Sequence, residues 1–189
     1  MHTDSALGPL LLTIAREAIA AKLGLAPGQT EPSQGTALQE RLSLPGATFV
    51  TLTRNHRLRG CMGSLEARRP LGEDVAANAR AAAFLDPRFS PLSATEWPEV
   101  RVEVSLLQPA RMLAVASEAE ALAKLHPGSD GVILTLGQRC ATFLPQVWET
   151  LPDPRDFLGQ LKRKAGLPLD FWSADLQLAT YHVDKWKEN

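Results

Sequence analysis

GATFVTLTRNHRLRGCMGSLE, residues 46–66, decides how this chain folds. Its first part, ATFVTLT, is β-branched and aromatic, the composition of a strand. Polar RNHR (54–57) reads as a turn, and LRGCMGSL (58–65) returns as the second strand of a hairpin. A glycine inside a strand costs roughly 0.5–1 kcal/mol relative to alanine. Gly60 and Gly63 together therefore ask for a compensating gain. In an extended chain the side chains alternate, so Leu58, Gly60 and Met62 share one face while Arg59, Cys61 and Gly63 share the other. The pattern predicts a guanidinium and a thiol on one side, open space at Gly63, and another backbone admitted at Gly60. A cation beside a thiol favours the thiolate, the nucleophilic form. Packing accounts for the same residues without chemistry: the glycines admit a helix, and Cys61 is a small buried hydrophobe.

Working outward, SALGPLLLTIAREAIAAKL (5–23) repeats Leu7, Leu11, Ile14 and Ala18 at helical spacing. GLAPGQTEPSQG (24–35) reads as a polar loop. After the hairpin, GEDVAANARAAAFL (72–85) predicts an alanine-packed helix, and Pro87 ends it by disfavouring helical geometry at Asp86. PEVRVEVSLLQP is the clearest strand, with Val100, Val102, Val104 and Leu106 on one face and Arg101, Glu103 and Ser105 on the other. Ser117 and Glu120 form a capping box for a short helix. GVILTLGQRCATFL predicts a hairpin turning at Gly137-Gln138, DPRDFLGQLKRKAGL a helix stopped by Gly166, and LQLATYHV a closing strand. Hairpins dominate and there is no regular βαβ alternation. The expected class is α+β with mainly antiparallel pairing and flanking helices.

The chain has 189 residues, 44% of them hydrophobic and 22% charged, in the range of an ordinary globular protein. A net charge of −1 gives no general attraction for nucleic acid or anionic lipid. No apolar run approaches a membrane span, and the N-terminal run leads into an amphipathic helix rather than a cleavage site. The expected setting is the cytoplasm with reduced thiols. Two cysteines, Cys61 and Cys140, make no disulfide framework, and the four histidines have no metal-ligand spacing. No metal and no cofactor is expected.

LRGCMG resembles the signature of the AMMECR domain family, L-R-G-C-[I/M]-G, whose bacterial and archaeal members are termed AmmeMemoRadiSam system protein A. ATFVTL before it, AAAFLDPRFSPL, VEVSLL, and DGVILTLGQRCATFLPQVWE with FLGQLKRKAGL follow the family's order over nearly the whole chain. Ser90 stands where the family has a proline, and Met62 where isoleucine is commoner. The resemblance implies one domain over residues 1–189 made of two interleaved lobes, with the signature lining a cleft between them. It also implies the company of a Memo-like protein and a radical S-adenosylmethionine enzyme.

The expected site is therefore Cys61 as a catalytic or carrier thiol, with Arg59, Gly60, Gly63, Asp86, Arg88 and Glu103 around a ligand. Asp86 and Arg88 could instead only tie down their loop. Glu103 could act as a base towards Cys61. Asn78, Arg80, Thr142 and Gln146 are further candidates to line the cleft. Cys140 reads as a buried or half-buried strand residue, and the KRK run (162–164) as a solvated helix face. His56 reads as an exposed turn residue and His182 as unpartnered; a Cys–His pair stays open. The expected function is action through Arg59 and Cys61 on a small molecule or protein intermediate. A non-catalytic interaction adaptor is the alternative, and nucleic-acid binding, opposed by the charge, a weaker one.

Overall fold

The 46–66 hairpin forms, and it lies at one edge of a four-stranded sheet in the computed structural model, which describes residues 4–26 and 36–188. In chain order the elements are α1 (Asp4–Lys22), α2 (Thr36–Ser43), β1 (Pro45–Gly46), β2 (Thr48–Arg54), β3 (Arg57–Gly63), β4 (Arg69–Pro70), α3 (Leu71–Phe84), β5 (Val100–Leu107), β6 (Arg111–Met112), α4 (Glu118–Lys124), β7 (Gly131–Leu136), β8 (Arg139–Phe143), α5 (Pro154–Lys164), β9 (Gln177–Tyr181) and β10 (Val183–Lys187). The class is α+β. The chain divides into two units: residues up to Leu107 together with those from Asp184 onward, and Gln108–Val183.

In unit 1 the sheet order is β10-β5-β2-β3, with β2 antiparallel to both β3 and β5. Asn55 and His56 make the hairpin turn, both with left-handed φ (51° and 60°). That geometry suits the right-handed twist of the flanking strands. Val50, Leu52, Val102 and Val104 face a core completed by α1 and α3. The buried stripe of α1 is Leu7, Leu11, Ala15 and Ile19, an i, i+4 row, with Ile14 and Ala18 only partly buried beside it. Burying such a stripe is what stabilises a helix of modest intrinsic propensity. A separate polar knot ties α3 to the start of β2. The buried Asp74 carboxylate accepts from Thr48 N–H (2.9 Å), Thr48 Oγ1 (2.8 Å), Ser64 Oγ (2.8 Å) and Arg69 (2.7 Å).

In unit 2 the order is β6-β9-β7-β8, all antiparallel. Val132, Leu134 and Leu178 pack on Phe157, Leu158 and Leu161 of α5, and Trp148 stacks on Phe157 at 3.6 Å. Gly137 takes the turn at φ 57°, and Gly166 stops α5 at φ 74°. Among the described residues no helix is long and apolar enough to cross a membrane, and no group of three or more His, Cys, Asp or Glu is placed to hold a metal ion.

Most of the 24–35 loop, residues 27–35, lies outside the described residues. α2 and β10 have no counterpart among the expected elements, and several expectations are corrected. Ser105 is buried despite its place on the polar face of β5. Cys140 is exposed, not buried. The KRK run is solvated only in part: Arg163 and Lys164 are exposed, but Lys162 is fully buried, donating to Glu118 Oε1 (2.7 Å) and to the Leu169 carbonyl (3.1 Å). Lys164 donates to the Thr142 carbonyl at 2.9 Å.

Candidate functional site around Cys61

β3 is an edge strand, and its two glycines have different reasons. A Cβ at Gly60 would lie 2.1 Å from the backbone carbonyl oxygen of Ala82, so only glycine lets α3 come this close. A Cβ at Gly63 would lie 2.3 Å from the Phe49 ring, which stands directly across the β2–β3 ladder. Gly63 is thus no open space beside the sulfur, as the pleat alone suggested; an aromatic ring fills it.

The pleat is also interrupted. Leu52 pairs with Gly60 and Thr53 with Leu58, so Arg59 is a bulged residue without a partner on β2. Its side chain is only 11% exposed. It donates from Nε to Glu96 Oε1 (3.0 Å) and from Nη2 to Glu96 Oε2 (3.2 Å) and the Ser90 carbonyl (3.0 Å). These bonds from Arg59, with further ones from Ser93, lower the Glu96 carboxyl from an ordinary 4.5 to about 2. Arg59 is consumed in holding the 90–96 loop, rather than standing free beside Cys61.

Cys61 is half-buried. Thr51, its partner across the ladder, donates from Oγ1 to Sγ at 3.3 Å. Its backbone N–H, turned away from β2, donates to Asp86 Oδ2 at 2.9 Å. An edge strand exposes such donors, and here a side chain satisfies one. Asp86 is buried and in turn accepts from Arg88 Nε (3.0 Å), Arg88 Nη2 (2.7 Å) and the Arg88 N–H (3.1 Å). The Arg88 bonds hold the Asp86 carboxyl well below the usual carboxylate range. Arg88 is held above its ordinary value by Asp86, with Cys61 adding to the effect. Its side chain is 55% exposed. Phe89 lies within 5.8 Å of both the Arg59 and the Arg88 guanidinium carbons.

Asp86 and Arg88 thus lie beside the cysteine, although nothing in their spacing showed that the carboxylate would bond the Cys61 amide. Glu103 shares a row with Cys61, but Thr51 stands between them. Two strand spacings separate the backbones, roughly 10 Å, and it is Thr51, not Glu103, that bonds the sulfur. His56 sits at the hairpin turn, five positions along β3 and on the order of 16 Å from Cys61 by strand rise. Asn78 is spent on Thr48 O and Asp74 at 2.9 Å each, and Arg80 is exposed. In unit 2, Thr142 is buried against Val132 O (2.9 Å) and Tyr181 Oη (3.1 Å), while Gln146 is exposed. His182 does have a partner, Asp130. Glu96 and Thr51 were missed. Glu96 lies 37 positions from Arg59, beyond any local pattern, whereas Thr51 was recoverable by counting the hairpin register.

All helices of unit 1 contribute to the core on one side of the sheet. Thr51, Cys61 and Glu103 form a half-buried polar row on the opposite side. A thiol on a rigid strand, flanked by a hydroxyl donor and an arginine with an outward edge, can meet an electrophile or an anion.

Residues 12–186 match the AMMECR1 family model. A protein of Nanoarchaeum equitans is 39% identical over 137 residues, covering 71% of this chain and 76% of that one. A protein of Methanopyrus kandleri is 34% identical over 192 residues, covering 96% and 88%. The crystal structure of the uncharacterized protein PH0010 from Pyrococcus horikoshii superposes with a TM-score of 0.80 at 32% identity, covering 97% of this chain and 92% of that one.

Proposed function

The chain belongs to the AMMECR1 family, and on that footing we propose that it acts through Cys61 on a small molecule or protein intermediate, in a cytoplasmic pathway shared with a Memo-like protein and a radical S-adenosylmethionine enzyme. The observation that carries this reading is the double anchoring of Cys61, at its amide by Asp86 and at its sulfur by Thr51. Anchoring of both backbone and side chain is what a nucleophile or carrier needs, since a fixed approach lowers the entropic barrier of reaction. In the simplest step the sulfur adds to an electrophilic carbon, the π electrons move to its heteroatom, and the thiol proton follows them. Arg88 offers the outward guanidinium edge for an anionic group of the substrate. Arg59 acts at one remove, by fixing the loop that carries Ser90 and Glu96.

The test is alkylation by iodoacetamide in a Cys140→Ser background, which removes the exposed second thiol. Modification of Cys61 in the folded protein, with loss of pathway turnover in Cys61→Ser, is the expected result. A Cys61 that stays inert until the protein unfolds, together with full turnover in Cys61→Ser, sinks the reading. The adaptor alternative draws on the exposed leucines around the motif, Leu58, Leu65 and Leu85. It predicts that Leu58→Ser weakens capture of the Memo-like or radical enzyme while Cys61→Ser does not.

A further inference from the structure

Unit 2 holds a second assembly of chemistry-bearing side chains that the Cys61 site does not use. Asp130, with its side chain 4% exposed, precedes β7. Its Oδ2 accepts from the His126 N–H (2.8 Å) and lies 3.2 Å from His126 Nδ1; its Oδ1 lies 3.2 Å from His182 Nε2. The Asp130 carbonyl accepts from Trp148 Nε1 at 2.7 Å, so the carboxylate is locked from behind. A carboxylate that binds one ring nitrogen fixes the tautomer and leaves the other nitrogen outward. His126 therefore presents Nε2 and His182 presents Nδ1, and both rings are largely exposed.

His126, Asp130 and His182 line a hollow of about 370 Å³ together with Arg111, Lys124 and an apolar side. Arg111 pairs with Thr180 in the β6–β9 ladder. Its guanidinium has no ion-pair partner among the described residues. Lys124 is already engaged, by Glu120 Oε1 (2.6 Å) and the Ala114 carbonyl (2.7 Å). The one carboxylate among the described residues of the wall, Asp130, is turned onto the histidines. The unpaired charge facing the hollow is thus positive, and the two imidazoles add donors when protonated. Pro109 and Leu113 give it an apolar side. Its size falls in the range of small-molecule sites.

We infer that this hollow is a binding site for a small organic anion, a phosphate or carboxylate head on Arg111, His126 and His182 with an apolar body along Pro109 and Leu113. It is independent of Cys61. The loop closure alone would explain why Asp130 bonds His126, but it does not explain an unpaired arginine and a second histidine on the same opening.

The experiment follows the imidazole resonances of the full chain while phenyl phosphate, inorganic phosphate or benzoate is added. Saturable shifts of His126 and His182 are expected, with phenyl phosphate binding more tightly than inorganic phosphate. Preference between phenyl phosphate and benzoate identifies the head group. Arg111→Ala should weaken binding about tenfold or more, the loss of one charge-assisted contact. Arg163→Ala, an exposed arginine on α5, should leave it unchanged. Unmoved histidine resonances, or equal binding in Arg111→Ala, overturn the inference. Circular dichroism of Arg111→Ala and the milder Arg111→Gln separates lost contact from lost fold.

Discussion

Asp86 reaches across 25 positions of sequence to accept the backbone N–H of Cys61 at 2.9 Å, while both of its oxygens also bind Arg88. One buried carboxylate thereby fixes the edge strand, its cysteine and the loop behind α3. Asp86→Ala strands the Cys61 donor and frees Arg88. A destabilisation of roughly 3 kcal/mol is expected, by the cost of unpaired buried polar groups. Urea unfolding checks it, and alkylation of Cys61 should quicken in the same variant. An unchanged midpoint would show that the carboxylate is dispensable.

The two motif glycines should respond differently to alanine. At Gly60 the new methyl meets the Ala82 backbone oxygen, so the helix must move. At Gly63 it meets the Phe49 ring, attachment carbon included, so that side chain must swing about its first torsion while both backbones stay in place. Expected losses are about 3 kcal/mol for Gly60→Ala and about 1 kcal/mol for Gly63→Ala, within the range for overpacking. Thermal melts that rank them the other way contradict the packing described.

Glu96 titrates at about 2 in the folded protein against an ordinary 4.5. A lowered carboxyl stabilises the fold fully above the ordinary value and loses that contribution as pH falls towards the folded one. Wild-type stability should therefore decline between 4.5 and about 2, on top of a similar decline from Asp86 that extends lower. Glu96→Gln should be less stable than wild type at neutral pH and show a shallower decline across that window. Parallel curves for the two proteins would refute the assignment.

Lys162 is a buried ammonium held by Glu118 and one carbonyl. Replacing the whole pair by apolar bulk is often neutral, whereas removing one partner leaves a charge uncompensated. Lys162→Met combined with Glu118→Leu should stay within about 1 kcal/mol of wild type, and Glu118→Ala alone should cost about 2 kcal/mol. Denaturant midpoints of the two variants decide it, and the opposite order excludes this account.

The strands, the alanine helix and the core faces were legible because each rests on a local period: two for β5, near 3.6 for α1. The α+β class followed from the hairpins. What failed, failed for reasons of distance. The register shifts at Arg59 and its acid, Glu96, lies 37 positions away, neither visible from a strand pattern, so strict alternation misplaced its guanidinium. Gly63 looked empty because the ring that fills it comes from the other strand. Lys162 looked solvated because its acid lies 44 positions away. Polar α2, with no buried residue of its own, carried too weak a periodicity to stand out.

Arg16 in α1 meets Glu188 beyond β10 at 2.7 Å, across 172 positions. Between them the chain leaves unit 1 and comes back, and the two ends of the excursion are neighbours, since the Gln108 N–H donates to the His182 carbonyl at 2.9 Å. Unit 2 is in this sense a guest within a host. Closing so long a loop costs only a slowly growing entropy once the guest has folded and brought its own ends together. A folded guest thus shortens the loop the host must close, while an unfolded one adds only a modest entropic cost. During synthesis the last strand of the unit bearing Cys61 docks after everything in unit 2 has emerged, so the sheet that carries the thiol is completed only once the inserted unit has been made.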